Sequence, residues 1–277
     1  MSQDEHAWLR VGCSLEMAFQ VPSPMVLLLR PRSGLLQWVA REEYSVRPAM
    51  HVTEYTDVYG NLCQRLLAPA GAFQVDVRAE VRVPARASMA PGARFVPVDE
   101  LPSEVLIYLA PSRYCEADRL GGLVAEITAG QALGYDQVAA ISRWINGRLR
   151  YVTDSDPTPV SATEMLNRGE GVCRDFAHLG IALCRGLSIP ARLVVGYLQR
   201  LEPMDLHAWF EAYVGGRWYT FDPTRPDLTG GRVCLAHGRD AADVPLFNQF
   251  GPPAYPSRMD VFVDEIPGPD KELRNGR

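Results

Sequence analysis

His207-Ala208-Trp209-Phe210-Glu211-Ala212-Tyr213-Val214-Gly215-Gly216-Arg217-Trp218-Tyr219-Thr220-Phe221-Asp222-Pro223-Thr224 reads as two strands joined by a two-residue turn. A Gly-Gly pair between two such runs is a strong hairpin signal, because tight hairpin turns place their central residues at positive φ. Pairing Val214 with Arg217 sets Tyr213 opposite Trp218, Glu211 opposite Thr220, Trp209 opposite Asp222 and His207 opposite Thr224. Opposed residues share a face, as do alternate residues of one strand, so His207 and Asp222 become diagonal neighbours. Such partners lie ~7–8 Å apart at the backbone, a gap that an imidazole and a carboxylate can bridge. Ala208, Phe210, Ala212, Val214, Tyr219 and Phe221 form the opposite, apolar face. A two- or four-residue turn keeps this register. A three-residue turn would move Asp222 to the apolar face, where a lone carboxylate is costly.

Upstream, Cys173, Phe176, Ala177, Gly180, Ile181 and Cys184 recur with the spacing of one helix face. Gly169-Glu170-Gly171 is poor helix interior, so the helix begins at or just before Cys173; Gly186 and Pro190 mark its end. Residues 192–198 follow as a strand. Val138, Ile141, Ile145 and Leu149 predict another helix, from about residue 135 to 149.

The first third has a different period. Leu15, Met17, Phe19 and Val21 alternate with polar or small residues, and Phe73, Val75, Val77, Ala79, Val81 and Val83 do the same, which indicates antiparallel strands. Asp57-Val58-Tyr59-Gly60-Asn61 has the chemistry of a hairpin tip. Prolines at 84, 91, 97, 102 and 111 mark a linker. The expected organisation is an N-terminal β domain over 1–95, a linker over 96–120, an α+β core over 121–245, and a tail over 246–277 packing on that core.

The chain has 277 residues, 47% of them hydrophobic and 22% charged, which supports a folded core and excludes a disordered chain. A formal charge of −5 without a basic stripe argues against a nucleic-acid partner. The N-terminus lacks an apolar segment, and the run from Met25 to Leu29 is far too short to cross a bilayer, so a soluble protein with no membrane association is expected. Six cysteines without a Cys-x-x-Cys pair read as reduced thiols in a cytoplasm.

A thiol at a helix N-terminus sits where unsatisfied N–H groups and the helix dipole favour an anion, which makes Cys173 a candidate nucleophile. The same N–H groups can hold the oxyanion of a tetrahedral intermediate. His207 would exchange the proton, and Asp222 would fix its tautomer. His178 lies ~140° around the helix from Cys173 and is read as structural. Cys115 is a rival nucleophile without a helix start to activate it. Arg239 and Asp240 read as a packing ion pair.

Gly171-Val172-Cys173-Arg174-Asp175-Phe176-Ala177-His178, Ile189-Pro190-Ala191-Arg192 with Gly196-Tyr197, His207-Ala208-Trp209, and Trp218-Tyr219-Thr220-Phe221-Asp222-Pro223-Thr224 together resemble the bacterial transglutaminase-like family of candidate cysteine peptidases. The N-terminal region with Asp57-Val58-Tyr59-Gly60-Asn61 resembles that family's β-sandwich domain, and residues 238–245 resemble its segment after the catalytic core. The resemblance implies an α+β fold in which a β-sandwich precedes a papain-like core, with Cys173 as nucleophile, His207 as base and Asp222 as orienting acid. It implies no cofactor and no metal. Tyr151 is a candidate side-chain oxyanion donor, with a core aromatic as the other reading. Animal transglutaminases carry Trp where this chain has Arg174, and nothing here resembles their calcium sites, which argues against calcium-activated crosslinking.

These readings point to acyl transfer through a thioester on peptide, isopeptide or glutamine amide bonds, by hydrolysis or transamidation, with a peptide or protein as substrate. The alternatives are a non-catalytic peptide- or partner-binding protein with the same core, and a metal site built on Cys173 and His207. A binding module has no need of all three polar residues, and the spacing lacks a compact metal motif.

Overall fold

Period-two alternation in the first third does produce long antiparallel strands: β1 (His6–Phe19), β2 (Ser23–Leu27), β3 (Trp38–Arg47), β4 (Val52–Thr56), β5 (Leu62–Ala68) and β6 (Gly71–Pro84). In the computed structural model, which describes residues 6–34, 36–152 and 158–268, these strands form two sheets. Leu9, Val11, Leu15, Met25, Leu27, Phe73, Val75 and Val81 form the apolar core that these strands share. Val21 departs from the expectation: β1 ends at Phe19, and Val21 is 44% exposed.

Three short 3₁₀ turns, Val98–Glu100, Ser103–Tyr108 and Ala117–Arg119, punctuate the proline-rich linker. Val96, Leu101 and Val105 pack with Tyr213, so the linker lies on the hairpin. The second unit contains α1 (Gly121–Ile127), α2 (Tyr135–Arg148), β7 (Arg150–Tyr151), α3 (Ala162–Arg168), β8 (Glu170–Gly171), α4 (Cys173–Gly186), β9 (Ala191–Leu198), β10 (Leu206–Val214), β11 (Arg217–Phe221) and β12 (Arg232–Gly238). Its antiparallel sheet has the order β11-β10-β9-β12. Phe210, Ala212, Val214 and Phe221 from the sheet join Phe176, Leu179, Ile181, Val138 and Ile141 from α4 and α2 in one core. The fold is therefore α+β, with mostly antiparallel sheets.

The tail does not pack as expected. The sequence places residues 246–277 on the second unit, whereas β13 (Phe247–Gln249) pairs with β2 and β14 (Arg258–Glu265) pairs with β1 of the N-terminal domain. Without them, β1 and β2 would each present an unpaired row of backbone groups, and a tail with alternating Met259, Val261 and Val263 can satisfy that row while covering the core. Phe262, on the outer face, lies where a Cβ on Gly12 would stand, 2.4 Å from its ring, so glycine is required there. Residues 269–277 of the expected tail lie outside the described residues.

The two units meet at the β4–β5 tip, residues 57–61. Asp57 Oδ1 accepts from the N–H groups of Tyr59 and Asn61, and Gly60 takes the positive φ that the turn needs. Asn61 then exchanges two hydrogen bonds of 2.9 Å with the His237 backbone, and Tyr59 donates to Asp243 at 2.7 Å. Arg239 pairs with Asp243 at 2.8 Å rather than with Asp240, whose carboxylate accepts instead from Tyr114 N and Ala242 N. Adjacent side chains point apart, so Arg239 meets Asp243 rather than its neighbour. Among the described residues, no helix is long and apolar enough to cross a membrane.

Asn61→Ala leaves the His237 N–H and C=O without partners in a buried seam. The expected loss is about 2–4 kcal/mol of unfolding free energy in a urea titration. A loss under about 0.5 kcal/mol would refute the role of this contact.

Candidate active site

The β10–β11 register runs as the Gly-Gly turn requires: Val214 pairs with Arg217, Tyr213 with Trp218, Glu211 with Thr220, and Phe210 with Phe221. Gly215 and Gly216 have φ of 59° and 83°, the left-handed values of a two-residue turn. The ladder stops at Phe221, so the expected pairing of His207 with Thr224 is not made. Pro223 has no N–H to continue the strand, and the chain turns. In that turn Thr224 donates from its backbone N at 3.1 Å and from Oγ1 at 2.7 Å to Asp222 Oδ1.

His207 Nε2 donates to Asp222 Oδ2 at 2.8 Å, and both side chains are buried. With Nε2 committed to Asp222, Nδ1 is the nitrogen left for a thiol, and it is buried without a hydrogen-bond partner among the described residues. Cys173, the first residue of α4, is partly exposed and lies close enough to the imidazole to influence it. The approach is open rather than a closed hydrogen bond. Asp175 Oδ2 accepts from Val172 N at 3.2 Å and caps the turn that carries the thiol.

Burial alone would push the His207 imidazole down. The hydrogen bond to Asp222 and its charge, with the Cys173 thiol nearby, outweigh burial and hold the imidazole up at about 9. Burial likewise pushes Asp222 up, but His207, Arg232 and Thr224 together hold it well below the usual carboxylate range.

Tyr151, half-exposed, pairs through β7 with Gly171 of β8, two residues before the thiol. Its ring packs edge-on against Phe176 at 5.9 Å. Burial and the neighbouring Cys173 raise its phenol to about 12, so it stays a proton donor. Tyr151 thus packs half-exposed on Phe176 beside the thiol. Trp209 stacks beside His207, with ring centroids 6.3 Å apart.

His178 stands apart from these groups. It accepts from Ala241 N at Nε2, donates from Nδ1 to Val160 O, and stacks on Tyr114. Burial holds it down at about 4, so it stays neutral in this packing role. Cys115 is fully buried, and burial pushes its thiol up to about 12. Thr224 and Arg232 escaped the sequence reading. Thr224 had a signal, since Asp-Pro-Thr is a turn in which a hydroxyl can reach back two residues. Among the described residues, no group of three or more His, Cys, Asp or Glu side chains could hold a metal ion.

Residues 121–223 match the transglutaminase-like superfamily, and residues 21–84 match the bacterial transglutaminase-like N-terminal region. A crystal structure of a candidate cysteine protease from Cytophaga hutchinsonii is similar at 32% identity and a TM-score of 0.85, covering 95% of this chain and 92% of that one. The chain belongs to the transglutaminase-like superfamily. An uncharacterized protein of Mycobacterium leprae is 28% identical over 230 residues, 78% of this chain and 82% of that protein. An uncharacterized protein of Mycobacterium tuberculosis is 35% identical over 133 residues, 42% of each chain. The papain-like core and the thiol-enzyme family follow from this membership.

The thiols differ in environment. Burial raises Cys13, Cys63, Cys115, Cys184 and Cys234, whereas Cys173 is partly open beside an imidazole. Site-resolved alkylation at pH 7 is expected to label Cys173 first, and faster labelling of Cys115 would overturn the assignment of the thiol.

The imidazole–carboxylate pair also links stability to pH. His207 sits above its unfolded value, so its contribution is complete below about pH 6.5 and is lost as pH rises through its folded value of about 9. Asp222 is depressed, so its contribution is lost only in strong acid. The stability gap between wild type and Asp222→Asn should shrink by about 3 kcal/mol between pH 6 and pH 10 in urea titrations. A gap independent of pH would show that the pair is not charged.

Proposed function

We propose that this chain is a thiol-dependent acyl-transfer enzyme that cleaves peptide, isopeptide or glutamine amide bonds through a thioester on Cys173. The observation that carries this reading is the buried His207–Asp222 hydrogen bond, which leaves Nδ1 as the one imidazole nitrogen open to the thiol at the start of α4. A buried imidazole oriented by a carboxylate and open toward a thiol is suited to moving a proton.

In this mechanism the Cys173 thiolate adds to the amide carbonyl carbon, and the oxyanion is held by first-turn N–H groups of α4 and the Tyr151 hydroxyl. The C–N bond breaks as the His207 imidazolium gives its Nδ1 proton to the leaving amine. A water or a second amine then attacks the thioester, and His207 takes its proton. Cys173 leaves as thiolate, so hydrolysis and transamidation differ only in the second nucleophile. Asp222 remains ionised throughout, keeping Nε2–H pointed at itself and balancing the imidazolium.

The test is intact-mass detection of an acyl-enzyme after mixing with a library of glutamine-containing and isopeptide-containing peptides. A mass shift is expected for wild type and none for Cys173→Ala. Asp222→Asn should lower turnover by roughly two to four orders of magnitude with its fold intact. Turnover should persist in chelators. Loss on chelation with recovery on adding metal would favour a metal site instead, and an adduct retained in Cys173→Ala would sink the nucleophile.

A further inference from the structure

Arg232 begins β12, two strands away from His207 across the sheet. Register places Arg232 opposite Leu198 of β9, while Gly196 of the same strand lies between Cys234 of β12 and His207 of β10. Arg232, Cys234, Gly196 and His207 therefore share a face. Between the two polar ends Gly196 contributes no side chain.

The Arg232 side chain is 7% exposed, and its guanidinium divides its donors. Nη2 donates to Asp222 Oδ2 at 3.2 Å, the same oxygen that accepts from His207. Nη1 donates to three successive carbonyls, Leu228 O at 3.1 Å, Thr229 O at 3.3 Å and Gly230 O at 3.2 Å. That segment is the return from Asp222 to β12. It includes Leu228 and Gly230 at positive φ, so its path is a specified one. One planar cation thus fixes both the carboxylate and the chain that follows it. Removing the cation would leave Asp222 Oδ2 with the imidazole as its one partner.

We propose that Arg232 is a positioning residue of the acyl-transfer site, holding Asp222 in line with His207 while limiting how strongly Asp222 retains the imidazolium. The inference rests on the acyl-transfer reading for its catalytic consequence alone. A carboxylate shared between two cations binds each less tightly than a carboxylate with one. The second cation therefore keeps His207 able to release its proton, which a base and acid in turn must do. A lysine would keep the charge but lacks the fork that spans the carboxylate and three carbonyls. The groups facing His207 are Asp222 after β11 and Cys173 at the start of α4; Arg232 acts from β12 through Asp222.

The test compares wild type, Arg232→Gln and Arg232→Lys, with the His207 imidazole followed by NMR titration and Cys173 by its rate of alkylation with iodoacetamide against pH. In Arg232→Gln the imidazole should titrate about one pH unit higher than in wild type. In Arg232→Lys the titration should stay near the wild-type position, while alkylation slows several-fold. In an Asp222→Asn background, Arg232→Gln should no longer move the titration. An unchanged His207 titration in folded Arg232→Gln overturns the proposal. Should that variant fail to fold, Arg232→Lys decides: a wild-type alkylation rate would overturn the proposal and a slowed one supports it. The NMR readout needs no turnover, so failure of the acyl-enzyme experiment would leave this result separately interpretable.

Discussion

A carboxylate sealed from water at Asp222 is tolerated because four donors meet it: His207 Nε2, Arg232 Nη2, Thr224 N and Thr224 Oγ1. Desolvating an ion of that size costs several kcal/mol even after the protein relaxes, and losing one partner would leave the remainder of that cost uncovered. The surrounding structure can be read as the supply of those donors. The hairpin delivers the imidazole, the Pro223 break delivers Thr224, and the return to β12 delivers the guanidinium. Because the charge is kept, the imidazole above it is held protonated at neutral pH, and the thiol finds a cation beside it.

The relation between thiol and imidazole is set by apolar packing on the reverse side of the same strand. Phe210 lies on the opposite face from His207 and presses on α4 at Gly180, where a Cβ would come within 2.4 Å of the ring. That close approach fixes the helix against β10. Cys173 lies seven residues earlier, about 10 Å along the axis, so a shift of the helix on Phe210 would move the sulfur away from Nδ1. A larger residue at Gly180 would therefore shift the Cys173 sulfur as well as disturb the core. The even register of β10 and β11 serves both ends, since one slipped residue would exchange the faces of Phe221 and Asp222.

What could be read from the sequence divides along the same line. The hairpin, the helix start at Cys173 and the alternation of β6 obey local rules, in which turn glycines, helix spacing and period-two patterning each act within a few residues. The family resemblance added the β-sandwich and the papain-like core. Arg232 escaped because nothing local distinguishes an arginine opening a strand from any solvated one; its partner is brought to it by two intervening strands. The tail escaped for a related reason. Met259, Val261 and Val263 announce a strand, but a strand does not name the edge it will pair with. Arg239 and Asp240 are adjacent in sequence, but their side chains point apart, and the turn at 240–243 brings Asp243 within reach of Arg239 instead.

The N-terminal domain is tied to this site through the edge strand that carries Arg232. Gln37 accepts from Cys234 N at 2.7 Å and donates to Cys234 O at 2.9 Å, so a side chain from the sandwich occupies backbone groups that β12 would otherwise leave open at the sheet edge. On the adjoining face Tyr197, Val233 and Leu235 join the sandwich's own core, with Tyr197 and Val233 directly paired across β9 and β12. An isolated second unit would expose that apolar seam together with the unpaired edge. Cys234 is bracketed by Val233 in the seam and pairs with Gly196, which pairs in turn with His207. The sandwich therefore supports the strand that positions Asp222, and the carboxylate, the imidazole and the docking of the two domains depend on one continuous set of backbone pairings.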